Sequence, residues 1–180
     1  MMRIVVILAA MSLWATPDAL QARHVALVLG TSSYANAGNL ENPARASALV
    51  AAALEQVGFA TVLTGSDLSQ DDMLARLRSF RDLANGADTA LIYYAGHGIE
   101  AKGKNWLIPT DAGLKNASDL PYEAIELQLA MDALEGAQLR IAILDACRDN
   151  PFSRDWSGQT RSVIRGLAPI EVDDILVIYA

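Results

Sequence analysis

Two residues of this chain have the types and spacing that nucleophilic chemistry needs. Cys147 is the single cysteine, set in ILDACRDN, and His97 lies in YYAGHG, 50 positions earlier. A thiolate is a strong nucleophile, and an imidazole beside it can take its proton or balance its charge. Glycines on both sides of His97 let the backbone come close to a substrate. The amides of Gly98 and Cys147 could then point at a carbonyl oxygen as it becomes negative. Each residue also has a plainer explanation, His97 as a turn histidine and Cys147 as a small buried hydrophobe at a strand end. Found together at matching strand ends, they read as a dyad.

The elements that must position this pair alternate between apolar strands and amphipathic helices. Residues 24–29 (HVALVL), 59–63, 89–94 (TALIYY), 139–144 (LRIAIL) and 175–179 read as strands. A helix is expected over 43–57, with Asn42 as cap, Pro43 in the first turn, and an apolar face at 46, 49, 50, 53, 54 and 57. A second opens at Ser69-Gln70-Asp71-Asp72 and buries Met73, Leu74, Leu77, Phe80 and Leu83. A small hairpin is expected over 99–109, a further helix over 121–134, and irregular chain over 159–169. Continuously apolar strands separated by helices imply an α/β fold with a mainly parallel sheet covered on both faces. Ligands bind such sheets at the carboxyl ends of the strands. His97 and Cys147 leave the third and fourth strands at that edge.

Length and composition bound the rest. The 180 residues suggest one domain; 52% are hydrophobic and 19% charged, enough for a packed core. A net charge of −7, with a pI near 4.7 and no basic patch, argues against a nucleic-acid partner. The segment 1–22 reads as a signal peptide: MMR is followed by an apolar run of 12 residues, too short to span a bilayer, with cleavage after Ala19 or Ala22. The alternative is an uncleaved anchor; in both cases residues 23–180 are exported, to the periplasm or beyond, with no other membrane contact. Exported domains usually keep an even number of cysteines, which makes unpaired Cys147 stand out. Two histidines and one cysteine do not make a zinc site, and no cofactor is expected. Asp71 and Asp72 could suggest calcium but read better as helix-start acids, and 171–174 reads as a charged turn. Trp106 and Trp156 either line a groove or pack, and His24 lies far from the relevant edge.

YYAGHG followed by DACR resembles the caspase-like cysteine peptidases, particularly their metacaspase and paracaspase relatives. The likeness continues through VALVLG, LENPARASALVAAALEQVGF, NWLIPTDA and DACRDNPF, and so covers 24–180. It implies the caspase–hemoglobinase three-layer sandwich. It also implies roles: Cys147 as nucleophile, His97 as general base and acid, and the Gly98 and Cys147 amides as oxyanion hole. No third side chain is assigned to orient His97. Asp145 stands where caspases carry glutamine, and relatives with aspartate there resemble peptidases that cut after arginine or lysine. A pocket carboxylate binds a guanidinium and repels an acid; the alternative is that Asp145 caps the strand end or pairs with Arg148.

Three departures from the family pattern stand out. Ala46 takes the place of a second pocket aspartate, for which Glu41 or Glu100 could substitute. Thr31 stands where asparagine is frequent. The chain stops at Ala180, where the small-subunit portion of such domains begins, which suggests a piece of a longer protein. Arg154, Arg161 and Arg165 are candidate self-processing sites or ordinary solvated arginines. The leading expectation is a cysteine endopeptidase acting on peptides or proteins with a basic residue. The alternative is a caspase-fold binding or scaffold module with little or no proteolysis. The sequence leaves the oligomeric state open.

Overall fold

The computed structural model describes residues 22–147, 151–152, 156, 166–170 and 173–180. The expected signal segment, Arg148, the three candidate processing arginines and Glu171 lie outside these residues. The described elements run β1 (His24–Gly30), α1 (Pro43–Gln56), β2 (Thr61–Ser66), α2 (Gln70–Ala84), β3 (Thr89–Ala101) and β4 (Lys104–Leu107). They continue with α3 (Leu120–Glu123), β5 (Ile125–Glu126), α4 (Leu127–Asp132), β6 (Leu139–Cys147) and β7 (Ile175–Tyr179).

The parallel part of the sheet has the order β2-β1-β3-β6-β7. Alternation of side chains along each strand divides the core into two faces. Val25, Leu27 and Leu29 of β1, with Ala90, Ile92 and Tyr94 of β3, pack against Met73, Leu77 and Phe80 of α2 and Ala130 and Met131 of α4. Ala26, Val28, Leu91 and Tyr93 face the other way, against Ala51 and Leu54 of α1. This is the expected α/β arrangement, a mainly parallel sheet with helices on both faces.

Four details differ from the sequence reading. In α1 the buried residues are Pro43, Ser47, Ala51 and Leu54, while Leu49 and Val57 are exposed. The small side chains of Ser47 and Ala51 let this helix lie close to the sheet, and an alanine-rich helix offers little contrast between its faces. Asn42 occupies the cap position without a side-chain cap bond; Ser32 Oγ accepts the Ala44 N–H instead (3.0 Å). α2 starts as expected, with Ser69 accepting from Asp72 N–H and Asp71 and Asp72 in its first turn.

The expected 121–134 helix breaks at Ala124, which is extended, because Ile125 and Glu126 pair with the open edge of β4. Lys104 and Glu126 form an ion pair across that junction (2.9 Å). Finally, β3 does not stop at Tyr94 but runs to Ala101 and turns into β4 through Lys102 and Gly103, both with positive φ, as a tight hairpin turn requires. His97 therefore sits inside a long strand rather than in a turn.

Candidate active site

The register between β3 and β6 decides the geometry. The strands pair in parallel from Thr89↔Leu139 to Ala95↔Asp145, and the last pair is His97↔Cys147. The two residues singled out by chemistry are thus backbone neighbours where the parallel pairing of β3 and β6 ends, at the carboxyl edge of the parallel sheet. The Cys147 side chain lies outside the described residues.

His97 is 6% exposed, and each of its polar atoms has a distinct setting. The ring Nε2 lies 2.7 Å from the Gly38 carbonyl oxygen. A carbonyl only accepts, so Nε2 carries the proton and Nδ1 holds the lone pair. Nδ1 is buried, with no hydrogen-bond partner among the described residues. Burial holds the His97 pKa below its ordinary 6.5, the Gly38 bond opposing in part. Near neutral pH the ring is an uncharged base with its lone pair unspent.

No residue type marks Gly38 in the sequence. The orienting group is a main-chain carbonyl, and every residue has one. The loop that carries it is tied down at several points. Asp67 accepts from Ser32 N–H (2.7 Å) and Ser33 N–H (2.9 Å), Ala35 N–H donates to Thr110 O, and Leu40 N–H to Ser32 O. Thr31 continues the β1–β3 ladder by one bond, its N–H donating to Ala95 O (2.9 Å).

The main chain of His97 is held as well. Its N–H donates to Tyr34 Oη (2.8 Å), and its carbonyl accepts from Tyr94 Oη (2.7 Å) and Ile108 N–H (3.2 Å). These partners share one edge of β3. Successive peptide groups of a strand point to opposite edges, so the Gly98 N–H faces the other edge, where β6 ends. Behind Gly98 sits Leu167, whose side chain comes within 2.6 Å of where a Cβ would stand. The segment carrying Leu167 is fixed by buried Asn105, which donates to Ala168 O and accepts from Ala168 N–H, each at 2.8 Å.

Asp145 lines a cavity of about 160 Å³ together with Leu40, Glu41, Asn42, Pro43, Ala95 and Gly96. Tyr93 donates to its carboxylate (2.9 Å). Burial and this carboxylate raise the Tyr93 pKa well above 10 and keep it a neutral donor. Of the two candidates for a second carboxylate, Glu41 lies in this cavity, whereas Glu100 accepts from Gly103 N–H in the β3–β4 turn. Ala46, in the first turn of α1, is partly buried and packs against the core beneath that helix. A larger apolar cavity, about 440 Å³, lies among Leu144, Ala146, Leu167, Pro169 and Tyr179. Among its described lining residues the one polar side chain is Tyr179, whose hydroxyl donates to Ala168 O and accepts from Ile170 N–H. Trp106 and Trp156 are both buried and pack rather than line a groove. His24 opens β1, against Phe59.

Residues 23–180 match the family described as Caspase domain. The mouse mucosa-associated lymphoid tissue lymphoma translocation protein 1 homolog is 30% identical over 129 residues, 69% of this chain and 15% of its own length. The human mucosa-associated lymphoid tissue lymphoma translocation protein 1 is 29% identical over the same length, with the same coverage. The chain spans about a seventh of the length of these relatives.

Proposed function

Because this chain belongs to the caspase-domain family of peptidases, we propose that it is a cysteine endopeptidase cutting after arginine or lysine, with His97 and Cys147 as its dyad. The observation that carries the reading is the β3–β6 register, which makes His97 and Cys147 partners at the carboxyl edge of the sheet. Nδ1 of His97 takes the Cys147 proton, and the thiolate attacks the scissile carbonyl carbon. The Gly98 and Cys147 amides receive the negative oxygen. The C–N bond then breaks, the imidazolium returns its proton to the leaving amine, and water, activated by the same imidazole, hydrolyses the thioester.

Two acids in the small cavity, with no base among its described lining residues, favour a cationic side chain. Asp145 is the first carboxylate and Glu41 the second, taking over what Ala46 cannot supply. Partly buried Asp145 matters more than exposed Glu41, because screening by water weakens charged contacts. The substrate is a peptide or protein met after export.

The test follows cleavage of fluorogenic peptides ending in arginine, lysine and aspartate, with and without calcium, by the full chain and its Cys147→Ala form. Cleavage after the basic residues only, lost in the variant, is the expected result. Asp145→Asn should lower cleavage after arginine by about tenfold to a hundredfold, the worth of one charged hydrogen bond, and Glu41→Gln by less. No cleavage of any peptide would favour the binding-module alternative.

A further inference from the structure

We propose that the Tyr34 and Tyr94 hydroxyls are positioning groups for His97, standing in for strand hydrogen bonds where β1 has ended and β4 is only beginning, and so fixing the imidazole for proton transfer. The inference rests on the reading of His97 as the base for Cys147.

The need arises from the sheet itself. β1 pairs with β3 only as far as Gly30↔Ala95, and Thr31 N–H adds one bond to Ala95 O. β4 takes up pairing at Gly98↔Leu107. At His97 the first neighbour is gone, yet the residue is buried and its peptide groups must be bonded. Tyr34 fills the gap toward β1. Its hydroxyl accepts the His97 N–H at 2.8 Å and donates to Thr31 O at 3.1 Å, bridging the residue that follows β1 to the strand it has left. Tyr94 fills the gap toward β4, donating to His97 O at 2.7 Å while Ile108 N–H also reaches that carbonyl.

Tyr34 acts on the side chain too. Its ring packs on the imidazole with centroids 4.6 Å apart, tilted by 48°. Its own N–H donates to Asn39 Oδ1 (2.9 Å), next to Gly38, whose carbonyl holds Nε2. Gly96 completes the device. A Cβ there would stand 2.7 Å from the Tyr94 hydroxyl and 2.8 Å from that of Tyr34, so the absence of a side chain leaves room for both. Among the described residues, the ionisable groups of the neighbouring cavity are Asp145, which accepts from Tyr93, and Glu41.

The test reads thiolate formation rather than proteolysis. The rate of Cys147 alkylation by iodoacetamide is measured against pH in the full chain and in His97→Ala, Tyr34→Phe and Tyr94→Phe. Loss of the imidazole moves the profile of His97→Ala to higher pH. Tyr34→Phe, which keeps the ring and removes only the hydroxyl, is expected to move it part of the way and slow alkylation at neutral pH by about tenfold to a hundredfold, as small misplacements of a reacting group do. Tyr94→Phe should move it less, since Ile108 still holds the carbonyl. Tyrosine variants that coincide with the parent chain while His97→Ala shifts would overturn the clamp and leave the dyad standing. If Tyr34→Phe does not fold, Tyr94→Phe decides: a shift supports the clamp and coincidence overturns it. A parent profile in His97→Ala would overturn the dyad, and the clamp with it.

Discussion

The two halves of β3 are held by different means. From Thr89 to Ala95 the strand is paired on both edges, to β1 and to β6, residue for residue. Beyond Ala95 the β1 partner is gone, and bonding passes to two phenol hydroxyls, a loop carbonyl and the start of β4. The first half asks only for side chains that bury well, and the ladder does the rest. The second half asks for particular atoms at particular places. Stability should therefore reside mainly in the first half, and chemistry in the second.

The largest effect that would break this contrast is sought in the first half. Ile92 is fully buried between the sheet and α2. Ile92→Ala should cost about 2–5 kcal/mol of unfolding free energy, through lost burial and the cavity left behind. Measured by urea unfolding, that loss should come with an unchanged pH profile of Cys147 alkylation in the molecules that remain folded. A shifted profile would mean that the two halves are mechanically one.

Gly96→Ala probes the second half with a smaller energetic cost and a larger chemical one. The added methyl meets both tyrosine hydroxyls at under 3.0 Å, so something must move. Overpacking of this kind costs about 1–3 kcal/mol. Cleavage, however, should fall by about a hundredfold, because what moves is the pair of groups that hold His97. Peptide cleavage per folded molecule, compared with Ile92→Ala, measures the contrast directly.

The same division governs how far the sequence could be read. The apolar runs of β1, β3 and β6 announce themselves, since a strand paired on both edges and covered on both faces must be apolar throughout. α2 is legible from its Ser69 cap and the spacing of Met73, Leu77 and Phe80. α1 is legible as a helix but not in its facing, because Ser47 and Ala51 bury more fully than Leu49. The break at Ala124 is set by the unpaired edge of β4, a distant partner that no local pattern reports. In the candidate site, His97, Gly98 and Cys147 can be picked out by type and spacing, and Asp145 by the resemblance to caspase-like peptidases. Gly38 could not be, as its contribution is a carbonyl. Tyr93 and Tyr94 read as part of an apolar strand, although their hydroxyls reach Asp145 and His97 O. Two tyrosines ending a buried strand are the one signal that could have disclosed them, since a buried hydroxyl must find a partner.

The smallest effect concerns the proton itself, and it sharpens the contrast by asking whether the second half takes any part in stability. Burial lowers the His97 pKa below the 6.5 of an exposed imidazole. The folded chain therefore holds this ring neutral at a pH where the unfolded chain has begun to protonate it. The resulting stability is fully present above about 6.5 and is lost as pH falls from there toward the folded-state value. The measurement belongs in the Cys147→Ala background, where no thiolate shares the proton. Unfolding free energy should decline on going from pH 7.5 to 5.5, and a further His97→Asn substitution should flatten part of that decline. An equal decline in both chains would mean that folding draws no free energy from keeping His97 neutral, leaving the ring's uncharged state a matter for the chemistry alone.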